Sequence, residues 1–231
     1  MSFLRLALAL LPHAGAFLLV NSHMTMHPAR SRRVSDICAE ATSLQLDTGL
    51  KMEALCERAA PDGALRGRPA VVFVHGTFHG AWCWAEHWME HFARRGLECH
   101  AISLRGTSGS PADQKSVKID EHVRDLAAFI RSRRFDPDAP PIIVGHSFGG
   151  ATLLKYLEQG LPASGVVLLC SVPPSGNGPM TMRFLRRSLR QAFKITRGLA
   201  LKTAATSADD ARELFFEETF PDARLSMFLP R

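Results

Sequence analysis

The sequence predicts an α/β fold, a doubly wound and mostly parallel sheet, and three observations carry that reading. Between residues 70 and 169, short β-branched runs alternate with segments whose apolar residues recur at helical spacing. The runs are continuous rather than alternating, as in strands buried on both faces. A glycine-bounded serine, Gly145-His146-Ser147-Phe148-Gly149, stands where one such run gives way to a helical segment.

The elements follow in order. Residues 44–46 and 51–58 read as two short strands joined by Asp47-Thr48-Gly49, a hairpin, and Pro61-Asp62-Gly63 then breaks the chain. Residues 70–74 (AVVFV), bounded by Pro69 and Gly76, read as a strand buried on both faces. Trp84, Trp88, Met89 and Phe92 recur at helical spacing until Arg94-Arg95-Gly96 ends the helix, and residues 97–104 form the next strand. Ile119, Val123, Leu126, Ala127 and Ile130 mark a helix with one apolar stripe. Residues 141–144, 149–157 and 166–169 read as strand, helix and strand. Residues 172–179 form a linker, after which basic helical sequence begins. The expected organisation is a presequence over 1–40, a core over 41–175 and a basic helical segment over 176–231.

A chain of 231 residues, 46% hydrophobic and 22% charged, fits one globular domain and excludes wholesale disorder, collagen-like repeats and coiled coil. Cys38, Cys56, Cys83, Cys99 and Cys170 are odd in number and widely spread. With no C-x-x-C and no Cys-plus-His cluster at ligand spacing, they argue against a disulfide framework and a structural zinc site. No cofactor and no metal is expected. The net charge of +6 resides in two acid-free segments, residues 1–35 and 159–208, and the rest of the chain is acidic on balance. The core therefore offers no electrostatic footprint for nucleic acid.

Residues 1–20 combine a charged start (Arg5), an apolar run and the small residues Ala14, Gly15 and Ala16, as in a signal peptide. Residues 21–35 are rich in Ser, Thr, Arg and His and free of acids, which is transit-peptide composition. Together they resemble the two-part plastid presequences of algae, so plastid targeting is the expectation, with secretion or an endomembrane lumen as the alternative. As a membrane span, residues 3–20 are marginal in length and interrupted by Arg5, Pro12 and His13.

The serine motif carries the chemistry. A strand-to-helix turn this tight excludes a Cβ at its flanks, so Gly145 and Gly149 let the backbone close and hold Ser147 above the sheet edge, where ligands bind in open α/β sheets. After the strand of residues 70–74 comes His75-Gly76-Thr77-Phe78-His79-Gly80-Ala81-Trp82, a glycine-bearing loop at the same edge. Acyl transfer needs two preorganised N–H donors aimed at the developing oxyanion, and the candidates are the backbone N–H groups of Thr77 and Phe148. His75 and His79 read as fixing the loop rather than taking protons, and His146 as directed away from Ser147.

These residues, with Trp84 and with Arg105-Gly106-x-x-Gly109 after the intervening strand, resemble the α/β-hydrolase superfamily over roughly residues 65–172. Within it they are most similar to the plant methylesterase and hydroxynitrile-lyase branch. The resemblance implies an α/β-hydrolase core and a serine esterase: Ser147 attacks a small-molecule carboxylic ester, and the Thr77 and Phe148 amides form the oxyanion hole. His75, Phe78, His79 and Trp82 are possible pocket residues, Phe78, Trp82 and Trp84 serving as core and wall. Lyase or transferase chemistry would use the same elbow.

The triad order in this fold is Ser, then Asp or Glu, then His, and no histidine follows Ser147. By family analogy the acid and base would sit after two further strands that the 231 residues do not reach. The expectation is a truncated serine hydrolase. The alternatives are an inactive ligand-binding or interaction protein, and an enzyme using His75 or His79 as substitute base. Residues 179–202 form a basic amphipathic helix, with Met182, Leu185, Leu189 and Phe193 beside Arg183, Arg186, Arg187 and Arg190. In the resembled family this insertion is a lid. Contact of its basic face with anionic lipid or an acidic substrate is open, and a solvated lid face is favoured.

Overall fold

The computed structural model describes residues 40–113, 116–173, 176, 178–189, 207–216 and 219–225. The expected presequence lies outside them except for residue 40, as does the expected basic helix from residue 190 onward. The strands are β1 (Glu40–Gln45), β2 (Lys51–Glu57), β3 (Val71–Val74), β4 (Cys99–Ile102), β5 (Ile142–His146) and β6 (Gly165–Leu169), in sheet order β1-β2-β4-β3-β5-β6. β1 and β2 are an antiparallel hairpin and β2 joins β4 antiparallel, while β4, β3, β5 and β6 run parallel. From β3 the chain builds first toward β4 and then, on the other side, toward β5. The crevice beyond the carboxyl ends of β3 and β5 is thus the topological switch point, where open α/β sheets take their ligands.

The parallel strands are covered on both faces, as their continuous apolar runs require. Val72 and Val74 of β3, Ile102 of β4 and Ile143 of β5 pack with α3 (Ile119–Ser132) and α4 (Phe148–Glu158) on one face. Val71, Phe73, Cys99, Ala101 and Val144 pack with Trp84, Ala85 and Met89 on the other. There the single expected helix is two, α1 (Trp82–Ala85) and α2 (Trp88–Ala93), because the backbone at His87 leaves the helical region (φ −150°). The break wraps indoles around one core ring: Trp84 stacks on Phe73 at 5.0 Å between centroids and Trp88 meets it edge-on at 6.4 Å. β4 is also shorter than its apolar run: the Ser103 N–H still reaches the Glu53 carbonyl of β2 at 3.0 Å, but the Leu104 N–H donates to a side chain, His75 Nε2, at 2.9 Å.

Beyond β6 come α5 (Gly178–Arg187), α6 (Ala208–Phe215) and α7 (Asp222–Leu225). α5 starts at the expected basic helix, and α6 is an element the sequence reading did not separate. Ser207 caps it, accepting the Asp210 N–H at 3.3 Å, with Asp209 and Asp210 in its first turn. Among the described residues no helix is long and apolar enough to cross a membrane.

One buried ion pair ties the loop after β4 to α3. Asp125 is fully buried and accepts Arg105 Nε at 2.8 Å and Nη2 at 2.6 Å, while Thr48 of the hairpin donates to it at 2.6 Å. Removing the carboxylate leaves a guanidinium at 15% exposure without its counter-charge, a loss of about 3–5 kcal/mol. Asp125→Ala should lower the melting temperature by at least about 6 °C; a shift within 2 °C in thermal denaturation would show that the pair carries no such load.

Candidate active site

Ser147 occupies the single residue between β5 and α4, at φ 52° and ψ −113°, a region that side-chain-bearing residues rarely enter. Its backbone is clamped from β6: the Ser147 N–H donates to Leu169 O at 3.0 Å, and its carbonyl accepts the Val172 N–H at 3.1 Å. Ser147 is half-buried, and its hydroxyl has no hydrogen-bond partner among the described residues. The flanking glycines are required by close approach rather than by dihedral freedom. A Cβ on Gly149 would stand 2.5 Å from the carbonyl oxygens of Val74 and His75, and one on Gly145 2.9 Å from the Gly149 carbonyl. Gly150, a glycine the reading left without a role, is held in the same way against Ser171.

The loop after β3 comes to this turn. A Cβ on Gly76 would lie 3.0 Å from Ser147 Cβ and 2.8 Å from His146 Nδ1, so Gly76 is where the two segments touch. Neither the Thr77 nor the Phe148 N–H donates to any described residue, and Phe148 is the first residue of α4, where the helix leaves its N–H groups unused. Phe78 takes a positive φ of 64°.

The histidines divide by their surroundings. His75 is 1% exposed; its Nδ1 lies 2.7 Å from Gly76 O and its Nε2 accepts the Leu104 N–H. A carbonyl only accepts, so the proton is on Nδ1 and both nitrogens are occupied. Burial pushes its pKa down to about 3. His75 is therefore a neutral strut between the ends of β3 and β4. His79 donates from Nδ1 to Thr77 O at 2.8 Å, stacks on Trp82 at 5.7 Å and meets His146 edge-on at 6.2 Å. Burial lowers the pKa of both His79 and His146, the neighbouring ring adding to the effect at His146. His146 thus sits over Gly76 beside His79.

Three contributors were missed. Phe215, at the end of α6, lies over Phe78 at 6.4 Å and His79 at 5.4 Å; its apolar cluster Leu214-Phe215-Phe216 gives no sign in the sequence of which element it will meet. His122 of α3 is buried edge-on against Phe148 at 5.4 Å, its Nδ1 without a partner among the described residues. Glu53 of β2 accepts from Ser103 Oγ and from the Gly109 N–H, and Ser103 Oγ in turn accepts the Ala81 N–H at 2.9 Å. That network fixes the start of α1, and with it the far end of the loop. Downstream carboxylates serve elsewhere: Glu158 pairs with Lys155 at 2.9 Å, and Asp222 pairs with Arg212.

Away from this edge, the antiparallel register sets Cys56 of β2 opposite His100 of β4, with Glu98 two residues before it. Their ligand atoms lie within 4.8 Å of one another. Sequence spacing separates these residues and only the sheet unites them.

The fold and turn define the class, and comparison with known proteins agrees. Residues 71–230 match the alpha/beta hydrolase family, and the chain belongs to it. It is 29% identical to "Probable esterase PIR7A" of Oryza sativa subsp. japonica over 142 residues, 59% of this chain and 53% of that protein. It is 34% identical to "Methylesterase 18" of Arabidopsis thaliana over 129 residues, 55% of this chain and 46% of that one. The chain thus spans about half the length of these curated relatives. Three further Arabidopsis thaliana methylesterase relatives carry "chloroplastic" in their names. Among solved structures, Est816, described as an N-acyl homoserine lactone degrading enzyme, superposes with TM-score 0.51 at 21% identity, covering 81% of this chain and 63% of that one.

Two outcomes follow from the packing and the histidines. Gly149→Ala must push α4 away from two backbone carbonyls, at a cost of about 1–3 kcal/mol, read as a lowered urea midpoint; an unchanged midpoint would mean the turn relaxes freely. Burial is also the leading cause that lowers the pKa of His75, His79, His100, His122 and His146. The unfolded chain therefore takes up protons below about pH 6.5 that the folded chain refuses, and stability falls with pH from there toward about 3, the folded value of His75. Urea midpoints measured from pH 7.5 to 5 should decline steadily below 6.5; a flat profile contradicts the burial argument.

Proposed function

We propose that this α/β hydrolase cleaves carboxylic esters of small or moderate size through Ser147, with the N–H groups of Thr77 and Phe148 as the oxyanion hole. The observation that carries the reading is Ser147 held at φ 52° between β5 and α4, its hydroxyl without a partner among the described residues, beside the loop after β3. The esterase and methylesterase names of its relatives support an ester as substrate. Attack by the Ser147 oxygen on the carbonyl carbon gives a tetrahedral oxyanion facing two unused N–H donors. Its collapse expels the alcohol and leaves an acyl-serine that water hydrolyses.

The proton acceptor decides what these residues do alone. His75 has both nitrogens occupied and is not the base. His79 donates from Nδ1 and keeps an unprotonated Nε2, which makes it, of the two, the substitute base with the correct tautomer. The helices beyond residue 176 form the lid, with Phe215 closing over Phe78 and His79. The same reading places the protein in a plastid through the presequence of residues 1–40, in keeping with the chloroplastic names among its relatives. A second reading is a ligand-binding protein without turnover; it is favoured by the occupancy of both His75 nitrogens, which leaves that buried histidine unable to take the Ser147 proton.

A fluorophosphonate probe separates them. Serine hydrolysis predicts labelling of the wild-type chain that Ser147→Ala abolishes. Labelling that survives His79→Gln excludes His79 as base. A cooperatively melting wild-type chain that takes no label overturns the hydrolytic reading in favour of ligand binding.

A further inference from the structure

We propose that Cys56, Glu98 and His100 bind a single divalent cation of borderline softness, zinc above all, at the amino-terminal edge of the parallel strands, the edge opposite Ser147. The sheet preorganises two of the three groups. Cys56 and His100 are register partners on β2 and β4, and the His100 ring is fixed edge-on between Phe129 at 6.0 Å and Phe135 at 5.3 Å. The third, Glu98, sends Oε1 to His100 Nε2 at 2.7 Å. One thiol, one imidazole and one carboxylate form a zinc donor set with a fourth position left for water.

The dimensions suit the ion. Zinc bonds of about 2.0–2.3 Å place tetrahedral donors about 3.3–3.8 Å apart. The present atoms lie within 4.8 Å of one another, and the hydrogen-bonded pair of His100 and Glu98, at 2.7 Å, must open by less than about 1 Å. Glu98 has that freedom: its side chain is 48% exposed, which also provides the way in from solvent, whereas His100 is 1% exposed. On binding, the Cys56 thiol releases its proton to solvent and the imidazole proton shifts from Nε2 to Nδ1, so no redox partner is needed. Arg133 stands outside the trio, its Nη2 4.0 Å from Cys56 Sγ and its buried Nε without a partner among the described residues. Its charge opposes the cation but favours the thiolate, to which it remains an outer-shell donor.

The test uses the full chain without an affinity tag and zinc alone as probe, competed against a chromogenic chelator. One equivalent should bind per chain, more weakly as pH is lowered. Cys56→Ser and His100→Gln should each weaken binding by more than about 100-fold, beyond the roughly 10–100-fold usual for loss of an outer-shell partner alone. Cobalt(II) in place of zinc should show a thiolate-to-metal charge-transfer band that Cys56→Ser abolishes. Zinc should raise the melting temperature of the wild-type chain but not that of Cys56→Ser, whose own melting curve reports its fold. Absence of saturable zinc binding, or equal affinity and equal thermal shift in wild type and Cys56→Ser, overturns the site.

Discussion

The site is located by one contact between two stretches of backbone. Where α4 leaves the turn at Ser147, its second residue, Gly149, lies directly on the carbonyl oxygens of Val74 and His75, with no room for a side chain between them. That contact sets the height of the helix start, hence the position of the Phe148 N–H, against the end of β3, hence the loop carrying Thr77. The rest of the structure closes a ring around it. His75 braces the end of β3 against Leu104; Arg105, one residue on, holds Asp125 of α3; and His122, one turn earlier on that helix, packs against Phe148 at the start of α4. Each link is a buried polar or aromatic contact, and together they return to the residue where they began.

Strain gathers at the same edge. Side-chain-bearing residues at positive φ follow each parallel strand: Phe78 after β3, Ser108 after β4, Ser147 after β5 and Cys170 after β6. Such conformations cost about 1–3 kcal/mol each and persist only where the surroundings over-determine them. Here the surroundings are the Glu53–Ser103 network beneath Gly109 and the Leu169 and Val172 hydrogen bonds to Ser147. A sheet whose strained residues line one edge has its stability invested elsewhere, in the two apolar layers that sandwich β3 and β5.

What was legible in the sequence follows the range of each interaction. The strands could be read because a strand buried on both faces must be apolar throughout. The serine turn could be read because backbone contact demands glycine at fixed spacing from Ser147. The break at His87 could not, because the helical spacing of Trp84, Trp88 and Phe92 continues across it, and only the position of Phe73 decides how those rings are gathered. Arg105 and Asp125 are twenty residues apart and look like surface charges until the loop after β4 folds onto α3. Phe215 and His122 reach the site from elements whose placement no local pattern encodes. The absence of Cys-plus-His spacing was a true statement about the sequence and did not survive as one about space.

That last point follows from the direction of β2. In the parallel strands the loop that follows each strand leaves from the carboxyl edge, whereas β2 is antiparallel to β4 and runs from that edge to the other. Its early part supplies Glu53 to the Ser103 and Gly109 loop at the carboxyl edge, on one face of the sheet. Its later part supplies Cys56 opposite His100 at the amino edge, on the other face, since successive side chains of a strand alternate. The four residues from 53 to 56 thus span the thickness of the sheet and most of the length of β4. A cation joining Cys56 to His100 would pin the end of β2 farthest from Glu53. It would fix the register of the hairpin from which Glu53 reaches the loops of the active edge, and a one-residue slip of that register would turn Cys56 and Glu53 to the wrong faces together.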